Sequence, residues 1–187
     1  GIGNKEPSRD DFTESTPNDR PKHESLLNIE FGYRYNSEKL SLSANIYNMQ
    51  YENQLILTGE LNDVGSAVRV NVPDSYRRGV EFTGLVKLMD KLTWKLNTTL
   101  SQNKIASFNK FVDNWDTDGL DEEKYSNTDI AFSPSIIAGS QLIFTPINSA
   151  ESGKLDFAFI SKYVGEQFID NTSSEFAKLD GYFVHDF

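Results

Sequence analysis

The chain of 187 residues contains no cysteine and no long uninterrupted run of apolar residues. The absence of cysteine excludes a disulfide framework, CxxC redox chemistry and a zinc site with thiolate ligands. No run approaches the roughly 18 apolar residues of a membrane helix, so a helical membrane protein is excluded. The net charge of -10 argues against a general nucleic-acid surface.

Motifs that carry catalysis are also missing. The sequence has no nucleophile elbow, no phosphate-cradling glycine loop and no HExxH motif, so it offers no case for an enzyme and indicates no cofactor. No signal peptide is visible at Gly1, and the chain stops at Phe187 inside a strand-like run. We therefore expect an internal fragment of a larger exported protein.

What the sequence does contain is a repeated alternation of apolar and polar residues. Successive side chains of a strand point to opposite faces, so each alternating stretch predicts a strand with one apolar and one polar face. Similar stretches lie at residues 27–35, 40–46, 80–86, 136–144 and 155–163. The clearest apolar series consists of Leu92, Trp94, Leu96, Thr98 and Leu100.

Short and long connections alternate between the predicted strands. Tight turns are expected at residues 36–39 and 89–91, a moderate turn at 146–153, and long extracellular loops near residues 6–24, 57–75, 106–129 and 165–178. Aromatic residues lie beside the tight turns, as in the interfacial girdle of an outer-membrane barrel. The pattern favours a transmembrane β-barrel. A soluble β-sandwich, which turns its apolar face inward, is the alternative.

Six segments carry a resemblance to a known family. They are residues 4–9 (NKEPSR), 27–34 (LNIEFGYR), 44–55 (ANIYNMQYENQL), 71–73 (NVP), 76–82 (YRRGVEF) and 162–172 (KYVGEQFIDNT). In this order and spacing, the chain resembles the C-terminal part of the β-barrel domain of a TonB-dependent outer-membrane receptor. The resemblance extends from about Gly3 to Phe187.

The resemblance implies an all-β fold, an antiparallel transmembrane barrel of 22 strands, of which residues 1–187 would supply about eight. It implies energy-coupled import of a scarce nutrient across the outer membrane of a Gram-negative bacterium. A ferric siderophore is the default substrate, with cobalamin or an oligosaccharide as alternatives. The implied partners are outer-membrane lipid, a plug domain that this segment lacks, the TonB complex and a small-molecule or metal-chelate ligand.

Two other functions stay open at the level of the sequence. One is a soluble extracellular β-sandwich that binds carbohydrate or protein. The other is a barrel that scaffolds a surface lipoprotein and imports little.

Aromatic residues in the predicted loops are candidates for contact with a planar ligand such as a catecholate or a corrin ring. Packing of each loop against itself or a neighbouring loop is the alternative reading. The candidates are Phe12, Phe108, Trp115 and Tyr125.

A segment of one loop resembles the start of a calcium-binding loop. Asn114, Asp116 and Asp118 supply oxygen ligands at alternate positions, followed by Gly119. The twelfth position is Tyr125 rather than the bidentate Glu that such a loop needs. This departure favours a solvated acidic loop over a metal site.

Charged residues on the polar phase of the strands would face the lumen of a barrel. They would either form salt bridges to the plug or line a solvated wall. These residues are Glu30, Arg34, Glu81, Lys87, Lys95, Asp156 and Lys162.

Overall fold

The structure, a computed structural model, describes residues 1–15, 20–61, 67–114, 119–149, 151 and 153–187. A nine-stranded antiparallel sheet dominates these residues, with strand order β1-β2-β3-β4-β5-β7-β8-β11 and with β6 paired to the far part of β5. A second sheet consists of β9 and β10. No helix in the described part of the chain is long and apolar enough to cross a membrane.

The elements are short near the two ends of the chain and long in its middle. In chain order they are β1 (Ile2–Lys5), α1 (Arg9–Glu14), β2 (Glu24–Asn36), β3 (Leu40–Leu61), β4 (Ala67–Met89), β5 (Leu92–Asn114), β6 (Gly119–Asp129), β7 (Ile136–Ser149), β8 (Gly153–Val164), β9 (Gln167–Phe168), a 3-10 turn (Glu175–Ala177), β10 (Lys178–Leu179) and β11 (Tyr182–Asp186).

The sheet has one apolar and one polar face, as the alternation predicts. Directly paired residues of antiparallel strands lie on the same side of a sheet, so rows of side chains can be followed from β2 to β11. One apolar row consists of Tyr33, Ala44, Phe82, Thr98, Ala138, Tyr163 and Phe183. The neighbouring row on the other face consists of Arg34, Ser43, Thr83, Asn97, Gly139, Lys162 and Val184.

The apolar face is open to its surroundings. Phe31 is 73% exposed, and Ile29, Ile46 and Phe82 on the same face are also exposed. A sandwich would bury these side chains against a second sheet, and the described residues supply no such layer. The sandwich alternative is therefore not favoured, and the sheet is an open piece of a wall rather than a closed barrel.

Two stretches expected to be loops contain strand, and the sequence already favours an extended conformation near residues 67–72 of the first. β3 runs to Leu61 and β4 begins at Ala67, while β5 continues to Asn114 and pairs with β6. The acidic β5–β6 hairpin lacks a regular apolar alternation, which is why its composition suggests a loop. Its pairing places the rings of Phe108 and Tyr125 opposite each other, with their centroids 5.2 Å apart.

A small core lies in the parts of β3, β4 and β5 that reach beyond the apolar band. Buried side chains from these strands pack against Ile130, which follows β6. The hairpin region therefore has a small hydrophobic core of its own. The cluster consists of Ile56, Val72, Ile105, Phe108 and Ile130, with Val70 and Tyr125 packed against it.

Gly79 allows a close approach between neighbouring strands. A Cβ atom at this position would lie 2.8 Å from the Tyr47 hydroxyl and would overlap the backbone oxygen of Leu100. The Tyr47 side chain occupies the space that a larger residue at position 79 would need. Gly32 differs, because a Cβ there would lie 3.3 Å from the flexible end of Asn45 and at an ordinary contact distance of 3.6 Å from the Ala44 carbonyl oxygen.

We therefore expect Gly79→Ala to destabilise the complete protein by about 1–3 kcal/mol, as overpacking against backbone usually does. Gly32→Ala on the same face is the matched control and should leave stability almost unchanged. Thermal unfolding in detergent measures both variants. Equal effects of the two substitutions would contradict this account of Gly79.

Candidate functional site

All seven charged candidates lie on the polar face of the sheet, in the same phase of their strands. They fall into two groups at different heights along the strands. Glu30 and Glu81 lie nearer the extended ends of β3 and β4, and the basic residues lie nearer the tight turns.

The upper group lines a cavity of about 270 Å³ on the polar face. Glu30 and Glu81 border it together with Tyr47, Asn103 and Arg77. Asn28 donates a hydrogen bond of 2.6 Å from its side chain to Glu30 and so fixes that carboxylate. Arg77 is on the same phase as Glu81, so the alternation itself could have identified it, but it was not among the sequence-based candidates.

The lower group gives the other end of this face a basic character. Within the described residues, none of these four cations has a carboxylate within 4 Å: Arg34, Lys87, Lys95 and Lys162. Asp156 is instead held locally, by Lys154 at 2.7 Å and by the Thr145 hydroxyl at 2.6 Å. The basic residues therefore leave their charge available on the polar face.

A second cavity, of about 410 Å³, lies at the extended ends of the strands. Residues from the β1–α1 segment, β3, β4, the turn after β6 and the loop after β9 line it. Arg77 lines this cavity as well as the smaller one. We call this larger cavity, lined by Lys5, Glu6, Ser8, Asp11, Gln54, Leu55, Ile56, Leu57, Arg69, Arg77, Ile130, Ala131, Phe132 and Asn171, the mouth cleft.

Helix α1 is fixed at the border of the mouth cleft. Ser8 caps it through a reciprocal box, in which the Asp11 amide donates to the Ser8 hydroxyl and the Ser8 amide donates to Asp11. Arg69 of β4 lies 2.9 Å from the Asp11 carboxylate. Burial raises the pKa of Asp11, but hydrogen bonds from Arg69 and Ser8 outweigh it, and the pKa lies below its usual value. Asp11 therefore stays ionised and ties α1 to the wall.

The loop at residues 165–178 is anchored on the far side of the mouth cleft. Asn171, only 4% exposed, accepts from the Ala131 amide at 2.8 Å and donates to the Leu57 carbonyl at 2.6 Å. Ser173 accepts a hydrogen bond from the Asp129 amide at 2.7 Å. A polar loop sequence gives no signal that one of its asparagines is buried, so Asn171 was missed.

Ionic contacts also stiffen this loop. Lys178 lies 3.2 Å from Glu166 and 3.5 Å from Glu175. The hydrogen bond to Glu166, together with the two negative charges, raises the pKa of Lys178. The start and the end of the loop are thereby held together.

The aromatic candidates have different surroundings. Phe108 is only 8% exposed and stacks on Tyr125. This arrangement corresponds to the alternative in which the loop residues pack against each other. Contact of either residue with a ligand stays a prediction. The Tyr125 hydroxyl donates to Glu123 at 2.6 Å, and this bond raises the pKa of Tyr125. Phe12 is exposed on α1. Trp115 lies outside the described residues.

The described residues do not include all three calcium candidates. Asp116 and Asp118 lie outside them, and Asn114 is described only as the last residue of β5. Within the part of the chain that the structure describes, no group of three His, Cys, Asp or Glu side chains could hold a metal ion.

Comparison with known proteins gives a consistent family. The family model for a TonB dependent receptor-like beta-barrel matches residues 9–187. The ferric yersiniabactin uptake receptor FyuA from Yersinia pestis is similar at 18% identity and a TM-score of 0.62, covering 88% of this chain and 22% of that one. The copper transporter OprC is similar at 16% identity and a TM-score of 0.64, covering 98% and 26%.

The siderophore receptor PiuA from Acinetobacter baumannii is a further similar structure, at 14% identity and a TM-score of 0.58. The match covers 87% of this chain and 21% of that one. None of the curated protein sequences matches this chain. At these identities the solved structures define the fold alone, and the chain spans only about a quarter of their length.

An open antiparallel sheet with one apolar and one polar face, matching these structures, is a segment of the wall of a transmembrane β-barrel. Because the family model covers nearly all of its residues, the chain belongs to the TonB-dependent receptor family. Members of this family are outer-membrane receptors and transporters of Gram-negative bacteria, not enzymes.

We expect Asn171→Ala to release the loop at residues 165–178 from the wall. The substitution removes two partly buried hydrogen bonds, to the Ala131 amide and the Leu57 carbonyl, each of which contributes about 0.5–1.5 kcal/mol. Limited proteolysis of the complete receptor should cut the variant faster within this loop.

Thr172→Ala is the matched control, because among the described residues the Thr172 side chain bonds only within its own loop, to Asp170 and the Ser174 amide. Its rate of cleavage should stay near that of the wild type. Equal protection of the Asn171→Ala loop and the wild-type loop would contradict the anchoring role.

Proposed function

We propose that this chain forms part of the wall and the extracellular mouth of an outer-membrane receptor that imports a scarce nutrient by energy-coupled transport. A ferric siderophore is the substrate we favour, with cobalamin and an oligosaccharide as alternatives. The observation that carries the proposal is the mouth cleft. Two segments remote in sequence, the β1–α1 segment and the loop at 165–178, fold onto one end of a two-faced barrel wall and border this open cleft.

The dimensions of the apolar face support a membrane-embedded wall. Along β5 the apolar-face residues run from Leu92 to Leu100, a distance of about 27 Å at 3.4 Å per residue. At the tilt of about 40° usual in such barrels, this gives a height of about 21 Å, near the expected band of about 25 Å. We therefore propose an outer-membrane location for this chain.

A polar row ends the apolar band on the side of the mouth cleft. It consists of Asn48, Arg78 and Gln102 in β3, β4 and β5, while β2 contributes Ile29 to the same row. The Arg78 guanidinium donates twice to Gln102, at 3.1 and 2.7 Å, and lies 4.7 Å from the centre of the Tyr76 ring. A charged side chain here suits an interface with water rather than lipid. β3, β4 and β5 continue past this row, so we assign the mouth cleft to the extracellular side.

The polar face supplies the surface for the rest of the transport cycle. In this proposal the plug domain lies against it, and the basic side chains near the tight turns contact acidic groups of the plug. The loops and the plug bind the ligand, and the plug signals this binding to the periplasm. The TonB complex then pulls on the plug to open a path. Phe12, on the exposed side of α1, stays a candidate for ligand contact.

A charge introduced on the apolar face should prevent membrane assembly. Leu96 lies near the middle of the band, where an arginine costs about 2–4 kcal/mol in an outer-membrane barrel. We expect Leu96→Arg to reduce the amount of receptor in the outer-membrane fraction, whereas Thr99→Arg, on the polar face of the same strand, should assemble normally. Normal membrane levels of Leu96→Arg would contradict the lipid-facing assignment.

Transport is tested with the complete receptor in its own cell. Uptake of iron would be measured from a ferric tris-catecholate and a ferric tris-hydroxamate, alongside uptake of cobalamin and a maltooligosaccharide. We expect the receptor to support uptake of at least one iron chelate. A protonophore or loss of TonB should reduce that uptake to the level of a strain without the receptor, because the transport is energy-coupled.

Two results would overturn the proposal. Uptake that persists without TonB would contradict energy coupling. Unchanged uptake of every compound in a strain without the receptor, together with a stoichiometric lipoprotein partner, would favour a scaffolding barrel instead.

A further inference from the structure

The face of the sheet that carries the apolar band changes character in steps toward the extended ends of the strands. The last apolar row on this face consists of Ile46, Val80 and Leu100. The next two rows are polar, and they consist of Asn48, Arg78 and Gln102 and then of Gln50, Tyr76, Lys104 and Asp129. The row beyond them is acidic, with Glu52 paired to Asp74. Two cations, Arg78 and Lys104, therefore lie between the apolar band and an acidic rim.

The two polar rows lie at the depth of lipid headgroups when the apolar band is embedded in a membrane. Gln102 is two residues past Leu100, which is about 7 Å along the strand at 3.4 Å per residue. A strand tilt of about 40° turns this distance into a rise of about 5 Å. The headgroup zone on each side of the hydrocarbon core is about 5–7 Å thick. Arg78, which is paired with Gln102, therefore lies in this zone.

The neighbouring strand β2 indicates that lipid, rather than open water, reaches these rows. Ile29 pairs with Asn48 and Leu27 pairs with Gln50, so these two side chains continue the polar rows sideways. Ile29 is 60% exposed and Leu27 is 46% exposed. Exposed branched side chains at this height suit contact with acyl chains. The rows thus present apolar surface on β2 and positive charge on β4 and β5, which matches an amphipathic lipid molecule.

Arg78 is held in a fixed orientation and keeps donors to spare. Its guanidinium donates to Gln102 from Nε at 3.1 Å and from Nη2 at 2.7 Å, and it lies 4.7 Å from the centre of the Tyr76 ring. No carboxylate lies within 4 Å of Arg78 among the described residues. The two contacts with Gln102 use two of its five N–H groups. The other donors are available for the oxygens of an anion, which a guanidinium can bind in pairs.

Lys104 supplies a second cation next to Arg78. It is directly opposite Tyr76 and two residues from Gln102, and Arg78 contacts both of these side chains, so the two cations are diagonal neighbours. The Lys104 ammonium lies 2.9 Å from the Asp129 carboxylate and donates to the Asn127 carbonyl at 3.4 Å. Asp129 partly neutralises its charge, so Arg78 is the stronger of the two cations. One of the three N–H groups of Lys104 remains for a further acceptor.

We propose that Arg78 and Lys104 bind the phosphate group of a membrane lipid on the extracellular side of the apolar band. This inference rests on the outer-membrane location given in the proposed function. The guanidinium and the ammonium donate to phosphate oxygens, while acyl chains of the same lipid pack along Ile29 and the apolar band. The carboxylates of Glu52 and Asp74 repel the phosphate from the next row, which fixes its depth.

The test measures lipid binding to the purified complete receptor in detergent by native mass spectrometry. The probes are phosphatidic acid and a galactosyl diacylglycerol with the same acyl chains, which lacks the phosphate. We expect the wild type to bind phosphatidic acid more tightly, and Arg78→Gln to weaken that binding about 10-fold, the lower range for hydrogen bonds to a charged group. Lys39→Gln is the control, because it removes a positive charge from the exposed turn at the other end of the band, and it should leave the affinity unchanged.

A second variant separates lipid binding from support of the wall. Asp129→Asn removes the charge that competes for Lys104 but keeps a side-chain oxygen that can accept from the Ser173 hydroxyl. We expect it to tighten the binding of phosphatidic acid about 3-fold, the size expected for a partly exposed ion pair. A group of residues that only stabilised the wall would gain no affinity from this change. Asp129→Asn also decides the question if Arg78→Gln does not form a heat-resistant barrel.

Three results would overturn the inference. The first is equal affinity of the wild type for the two lipids, and the second is unchanged affinity for phosphatidic acid in either variant. The third is binding of inorganic phosphate as tightly as phosphatidic acid, which would indicate a site for a free anion. TonB-dependent uptake of an iron chelate would show in each case that the proposed function still holds. A complete receptor absent from the outer-membrane fraction would overturn both.

Discussion

The register between neighbouring strands is the constraint on which the rest of this structure depends. Side chains alternate faces with a period of two, so a slip of one residue would carry Glu81 and Lys95 to the apolar face and Phe82 and Leu96 to the polar one. Burying those charges in lipid would cost about 2–4 kcal/mol for Lys95 and less for Glu81. The correct register therefore defines both surfaces at once, the lipid-facing band and the wall on which the mouth cleft is built.

The alternation of the sequence predicts much of this wall. It identifies the strands between residues 27 and 163 and the face of every charged candidate, because periodicity is a property of the backbone and needs no knowledge of neighbours. The alternation also places Arg77 on the polar face, because Arg77 and Glu81 are an even number of residues apart in the same strand. It does not predict the full lengths of β3 to β6. A hydrated hairpin has little apolar alternation, and the stacking of Phe108 on Tyr125 that holds this one together depends on pairing.

The mouth cleft was less predictable because its residues come from distant parts of the chain. Asn171 bonds to a carbonyl 114 residues away, and Arg69 lies 58 residues from Asp11. No local pattern marks such pairs. Phe132, in the turn between β6 and β7, has a φ angle of +51°. A phenylalanine in a sequence of ordinary composition carries no sign of that conformation.

The loop at 165–178 and the turn at Phe132 act as one structural unit. Asn171 binds the amide of Ala131 while the Phe168 carbonyl binds that of Phe132, so a detached loop would leave both amides unpaired and the strained φ without support. The turn and the loop therefore depend on the same two hydrogen bonds, and the extended ends of the wall fix the position of both.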